Sequence, residues 1–265
     1  MDAKAEAPSY GFEGSQYITL ALAGSGLAVT ALAIAFTVLS YSAWQFAVCW
    51  FFGLLLIAVS LFWDSMGSVG YPANLRALES SLLNLLRTCW DGKGKVLDIG
   101  TGGGRLAVPI AREFPEAHVT GVDIWSTSWA SWGLNKERAE QNAAIVKVRD
   151  RCVFQHGSAL ELPFEDGEFQ LVVSAFAFHE IKVPDRTILI AEALRVLPPG
   201  GTLLVCDLFP RGYQVKNIPG LLEKVGQLGV DDVRHIPLKE AGVDLGRLSF
   251  IWGMSYLIGR KRSGK

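Results

Sequence analysis

Between Lys95 and Asp123 the chain passes from an apolar run into a cluster of glycines, then into a second apolar run that ends on a carboxylate. That order restricts the fold more than any other feature. Lys95-Val96-Leu97-Asp98-Ile99-Gly100 has the length and composition of a short buried strand, Thr101-Gly102-Gly103-Gly104 breaks it, and residues 105–114 carry apolar side chains at helical spacing. His118-Val119-Thr120-Gly121-Val122-Asp123 is a second strand. Its terminal acid follows the glycines by about twenty residues, where ribose hydroxyls lie in a doubly wound sheet. Residues 152–156, 171–175 and 202–209 read as further strands, with helices near 129–146 and 186–197. Such alternation predicts an α/β domain around a parallel sheet.

Two registers of the glycine turn are open. Gly102-Gly103-Gly104-Arg105-Leu106-Ala107 fits a loose GxGxxA, as in NAD-dependent oxidoreductases, whereas Asp98 two residues before Gly100 gives D-x-G-x-G-x-G. An acid there repels a pyrophosphate and suits a cationic ligand, because a carboxylate can hold the amino group of an amino-acid moiety by a charge-assisted hydrogen bond. The cofactor described by the second register is S-adenosylmethionine.

Val96-Leu97-Asp98-Ile99-Gly100-Thr101-Gly102-Gly103-Gly104 followed by Gly121-Val122-Asp123 resembles motifs I and II of the class I S-adenosylmethionine-dependent methyltransferases. The resemblance continues through Gly157-Ser158-Ala159-Leu160-Glu161-Leu162-Pro163-Phe164, residues 169–179 and Leu194-Arg195-Val196-Leu197-Pro198-Pro199-Gly200-Gly201. It is similar to the small-molecule branch that includes ubiquinone and menaquinone methyltransferases, and it covers residues 71–261. It implies a Rossmann-like, seven-stranded, mostly parallel sheet. Carried over residue by residue, it implies that Asp98, Gly100 and Gly102 surround the methionine part of the cofactor, that Asp123 meets the ribose and that Ile124 covers the adenine. Thr101, Trp125, Ser158, Ala159 and Ser174 are the further expected cofactor contacts. Ser158 departs from the family, which usually has Asp there to accept from the adenine amino group, and Gln170 stands where Asp is common. The Asn-Pro-Pro-Tyr signature of enzymes that methylate amide or nucleobase nitrogens is absent, with Ser174-Ala175-Phe176 in its place.

Methyl transfer from a sulfonium is a direct displacement, so a protein base is needed only when the acceptor arrives protonated. His179 is the candidate, because it follows the fourth strand at the edge where ligands bind, with Glu180 beside it. Trp125, Trp129 and Trp132 recur at helical spacing and form either an aromatic wall at the ligand or a core-packing face. Residues 248–254 are too short to span a bilayer, and the resemblance places the acceptor pocket in their neighbourhood, before a last strand at 255–258.

The N-terminal region poses a separate question. No charged residue occurs from Gly14 to Trp63, and Ser40-Tyr41-Ser42 divides this stretch into apolar runs at 17–39 and 43–63. About 20 helical residues cover the ~30 Å hydrocarbon core of a bilayer, so the expectation is a transmembrane hairpin in contact with membrane lipid. Both ends of such a hairpin lie on one side, and the cofactor's origin places that side in the cytosol. The expected organisation is a tail at 1–16, the hairpin at 17–63, a linker at 64–72 and a catalytic domain at 73–265.

A formal net charge of -1 provides no basic field for a phosphate backbone, so nucleic acid is not an expected partner. Cys49, Cys89, Cys152 and Cys206 are far apart, without a CxxC pair, and His118, His156 and His235 stand singly on strand-like segments, so no metal site is expected. Together these features predict a membrane-anchored methyltransferase acting on a small, lipophilic acceptor such as a lipid, quinol or thiol. An NAD-dependent oxidoreductase and a non-enzymatic cofactor-binding protein on the same fold are the competing readings.

Overall fold

A computed structural model of the chain describes residues 7–10, 15–38, 43–67, 72–130, 133–244 and 253–263, which fall into two compact units. One contains helices α1 (Ser15–Val38) and α2 (Ala43–Gly67). They pack antiparallel through small residues. A Cβ added at Gly26 would lie 2.9 Å from Ile57 Cγ1, and one at Gly53 would lie 2.7 Å from Thr30 Oγ1, so neither position has room for a side chain.

The expected transmembrane hairpin is corrected by this structure: among the described residues, no helix is long and apolar enough to cross a membrane. The turn expected at residues 40–42 lies outside the described residues. The expectation rested on two charge-free apolar runs of spanning length, and these are weaker conditions than an unbroken apolar surface. Ser25 and Thr30 place hydroxyls on α1, bonded back to the Ala21 and Gly26 carbonyls at 2.9 Å each, and Ser60 is buried on α2. Localisation as an integral membrane protein with a cytosolic domain falls with the spans, and the expected lipid contact loses its basis.

The other unit is an α/β domain. Helix α3 (Pro72–Cys89) opens on proline and buries Leu78, Leu82 and Leu86 along one stripe. The sheet follows: β1 (Gly94–Ile99), β2 (Ala117–Asp123), β3 (Cys152–His156), β4 (Leu171–Ala175), β5 (Thr202–Leu208), β6 (Val230–Pro237) and β7 (Met254–Lys261). Its order is β3-β2-β1-β4-β5-β7-β6, parallel throughout except for β7, which runs antiparallel to both neighbours. Helices α4 (Ala107–Glu113), α5 (Thr127–Ala130), α6 (Lys136–Ile145), α7 (Thr187–Arg195) and α8 (Ile218–Gln227) connect the strands.

The central strands are buried on both faces, which is why β1, β4 and β5 read as continuous apolar runs rather than alternating ones. Leu97, Ile99, Val172, Leu203 and Val205 from these strands pack with Phe169, Phe178, Ile190 and Leu197 in the core. The chain reverses strand order at β1, between β2 and β4, and a doubly wound sheet opens its binding crevice at that switch point. The helix expected over 129–146 is two elements, α5 and α6. Asn135 caps α6 by accepting from the Arg138 backbone N–H at 2.8 Å.

Candidate functional site

The site is built at the carboxyl ends of β1, β2, β3, β4 and β5. Strand β1 leaves the sheet at Gly100, whose N–H donates to the Val122 carbonyl at 2.8 Å, and Thr101 donates to the same oxygen at 3.0 Å. Gly100 has φ +74°, and a Cβ there would lie 2.2 Å from Ala177 Cβ. Only glycine fits this position, which brings the turn after β1 against the segment after β4.

Asp123, at the end of β2, holds the glycine turn in place. Its Oδ2 accepts from the Gly102 N–H at 2.9 Å and its Oδ1 from the Trp125 N–H at 2.8 Å. Trp125 returns the contact, donating from its indole nitrogen to the Gly102 carbonyl at 2.9 Å. Gly102 is thus held at both polar atoms. Trp125 adopts φ +41°, a costly conformation for a bulky residue, and these bonds keep it there. Ile124 between them is 55% exposed, an apolar surface beside the turn.

Asp98 sits beneath the turn rather than at its surface. It is 1% exposed, and its Oδ2 accepts from the Thr101 hydroxyl at 2.7 Å and the Ala107 N–H at 3.1 Å. Burial pushes its carboxyl up to about 7, helped by the Asp123 charge, while the two hydrogen bonds pull it the other way. Ser174 also lies below the site, fully buried with its hydroxyl donated to the Ile99 carbonyl at 2.8 Å. Ser158 follows β3, where its Oγ accepts from the Leu160 N–H at 3.2 Å, and Ala159 packs against the core. The side chain of Trp129 and the whole of Trp132 lie outside the described residues, as do residues 245–252 of the expected acceptor region.

His179 stands on a short 3-10 turn after β4 (Phe178–Glu180). Its Nδ1 is 2.7 Å from Asp207 Oδ1, its backbone N–H donates to Asp207 Oδ2 at 3.2 Å, and its Nε2 is 3.0 Å from Glu180 Oε1. The imidazole is 23% exposed and the Asp207 side chain 1%. Burial would lower the His179 pKa, but the hydrogen bonds and charges of Asp207 and Glu180 outweigh it and hold it at about 9. Arg186 fixes the turn from behind, donating to the His179 carbonyl at 2.5 Å and to the Arg211 carbonyl at 2.8 Å.

Asp207 was not found from sequence. It lies within an apolar strand, and pairing with a histidine 28 residues earlier emerges only once β5 is set beside β4. The one available signal was a carboxylate near the end of an otherwise apolar strand. Among the described residues, no cluster of histidine, cysteine or carboxylate side chains is arranged to hold a metal.

The cradle fits S-adenosyl-L-methionine. Gly100 and Gly102 leave backbone bare at the turn, and buried acid faces it from below. Asp123 uses one lone pair on each oxygen and has others left for a ribose diol. Residues 96–201 match the family described as methyltransferase domain. The chain is 33% identical over 150 residues to the 27-O-demethylrifamycin SV methyltransferase of Amycolatopsis mediterranei, covering 55% of this chain and 50% of that protein. It is 33% identical over 116 residues to the demethylmenaquinone methyltransferase of Deinococcus radiodurans, 44% of each. A ubiquinone/menaquinone biosynthesis C-methyltransferase of Rhizobium rhizogenes is 34% identical over 146 residues, 55% of this chain and 53% of that protein. The chain thus spans about half the length of the curated relatives it matches. A candidate S-adenosylmethionine-dependent methyltransferase of Methanococcus maripaludis has the same fold, with TM-score 0.54 at 17% identity over 76% of this chain and 95% of that one. The methyltransferase-domain match thus runs from within β1 to the turn before β5 and takes in the glycine turn, Asp123 and His179.

Proposed function

We propose that this chain methylates a hydroxyl-bearing small molecule, with aromatic quinols as the leading acceptor class. The observation that carries the proposal is the His179–Asp207 pair at 2.7 Å, on a turn that packs against the glycine loop through Ala177 and Gly100. Bound S-adenosylmethionine supplies a methyl group on a sulfonium, whose carbon–sulfur bond breaks as the acceptor bonds to carbon, leaving S-adenosylhomocysteine.

The residues supply the proton chemistry. Asp207 fixes the Nδ1–H of His179, so Nε2 is the basic atom. Glu180, with its side chain 47% exposed, moves aside for the acceptor, and Nε2 takes the hydroxyl proton. Deprotonating an aromatic hydroxyl makes both its oxygen and the adjacent ring carbon nucleophilic. One base therefore serves either O- or C-methylation, and the names of the relatives include both.

Isotopically labelled S-adenosylmethionine incubated with the full chain and a panel of quinols, phenols and thiols tests the reading, with product identified by mass spectrometry. Label in a quinol or phenol is expected. Label confined to thiols overturns the acceptor class, and thermal stabilisation by NADH but not by S-adenosylmethionine overturns the activity.

A further inference from the structure

Residues 7–10 belong to the α/β unit rather than to the helical pair that follows them. They are attached to the cofactor loop through one side chain. Asn142, on α6, is fully buried. Its Oδ1 accepts from the Ser9 N–H at 2.9 Å, and its Nδ2 donates to the Ser9 carbonyl at 2.6 Å and to the Gly103 carbonyl at 2.8 Å. Both amide hydrogens and the oxygen are thereby used. Tyr10 follows with its ring buried at 8% exposure, and its Cα lies 3.7 Å from where a Gly103 Cβ would sit.

Gly103 is the neighbour of Gly102, which Asp123 and Trp125 fix from the other side. The loop is therefore gripped at consecutive residues by two independent devices, and only one of them involves the N-terminal segment. Resting on the cofactor reading, we propose that residues 7–10 are a strap on the S-adenosylmethionine loop and that Asn142 is the positioning residue coupling the two. A docked strap holds the Gly103 carbonyl through Asn142, so the loop loses less freedom when the cofactor binds. By linkage, bound cofactor tightens the strap by the same factor.

The test uses the full chain, with S-adenosylhomocysteine as probe, and reads calorimetric affinity and amide hydrogen exchange. The probe is expected to slow exchange in 7–10 as well as in 100–106. Ser9→Pro removes the N–H that Asn142 accepts and leaves the Asn142–Gly103 bond in place. It should weaken binding roughly five- to tenfold, the loss of about one hydrogen bond, without lowering the melting temperature of the ligand-free domain by more than a few degrees. Asn142→Ala should weaken binding further. Protection of 100–106 without protection of 7–10, or a Ser9→Pro affinity within twofold of the parent, overturns the strap while the cofactor reading survives. No binding by the parent chain overturns both.

Discussion

Asp207 grips His179 twice, at the ring Nδ1 at 2.7 Å and at the backbone N–H at 3.2 Å, so one buried carboxylate sets both the tautomer and the position of the imidazole. Removing its charge should leave the fold intact and cost catalysis. Asp207→Asn is expected to lower kcat by about 10²-fold or more, within the range of a lost general base, with little change in KM for S-adenosylmethionine. His179→Gln should give a similar loss, and the double variant should be no worse than either single one. Additive losses would show that the two residues do not act as a unit.

The pH dependence follows from the same contacts. His179 is raised from its ordinary value to about 9, so the imidazole carries its proton at neutral pH and the basic form accumulates only above that. The quinol methylation rate should therefore climb with pH to an inflection near 9. Glu180→Gln removes one of the two carboxylates that hold the value up and should move the inflection lower. For folding the sign is opposite. The raised value stabilises the native state fully below the ordinary value of about 6.5, and this contribution fades as pH rises through about 9. Urea unfolding midpoints on both sides of that window check it.

Gly100 joins the two halves of the site, and Gly100→Ala tests whether that approach matters. The new Cβ would meet Ala177 Cβ at 2.2 Å in a backbone conformation of φ +74°, with strain on the order of 1–3 kcal/mol before any clash is relieved. Cofactor affinity should fall more than tenfold. Gly226→Ala is the control: nothing lies within 4 Å of its Cβ and it sits inside α8, so the substitution should stabilise by ~0.5–1 kcal/mol. A Gly100→Ala chain that binds S-adenosylhomocysteine normally refutes the cradle.

Glycines, apolar runs and terminal acids made the first half of the sheet legible. β3 and β4 begin and end where expected, β1 is displaced by one residue at each end and β2 begins one residue earlier. The amphipathic α8 and the edge strand β6 were not named from sequence. Asp231, Asp232 and Arg234 break the apolar pattern of β6 at an irregularity where Asp232 adopts φ +53°, and such charges protect an exposed sheet edge. The glycine turn and the acids beside it were legible because turn geometry demands particular residues at fixed spacing. Asp207 and Asn142 were not, because their partners are 28 and 133 residues away and only tertiary packing makes them neighbours. The transmembrane expectation failed for a different reason, since run length and freedom from charge do not guarantee a helix apolar enough to cross a membrane.

Asp98 offers a test that needs no acceptor. With its carboxyl pushed up to about 7, the ligand-free domain holds a proton there that the unfolded chain has lost above 3.8. Its contribution to stability is thus greatest below that value and declines as pH rises through about 7. A cation in the cradle reverses the preference by favouring the charged carboxylate, so binding S-adenosylmethionine near pH 7 should release a proton. Affinity should then increase with pH across this window, and the binding heat should differ between phosphate and Tris buffers in proportion to their ionisation enthalpies. S-adenosylhomocysteine keeps the ammonium but lacks the sulfonium, so it should release less. Asp98→Asn keeps an acceptor for Thr101 and Ala107 and should abolish the buffer dependence. Equal heats in both buffers for the parent chain would mean that Asp98 does not sense the cofactor and serves only to shape the turn.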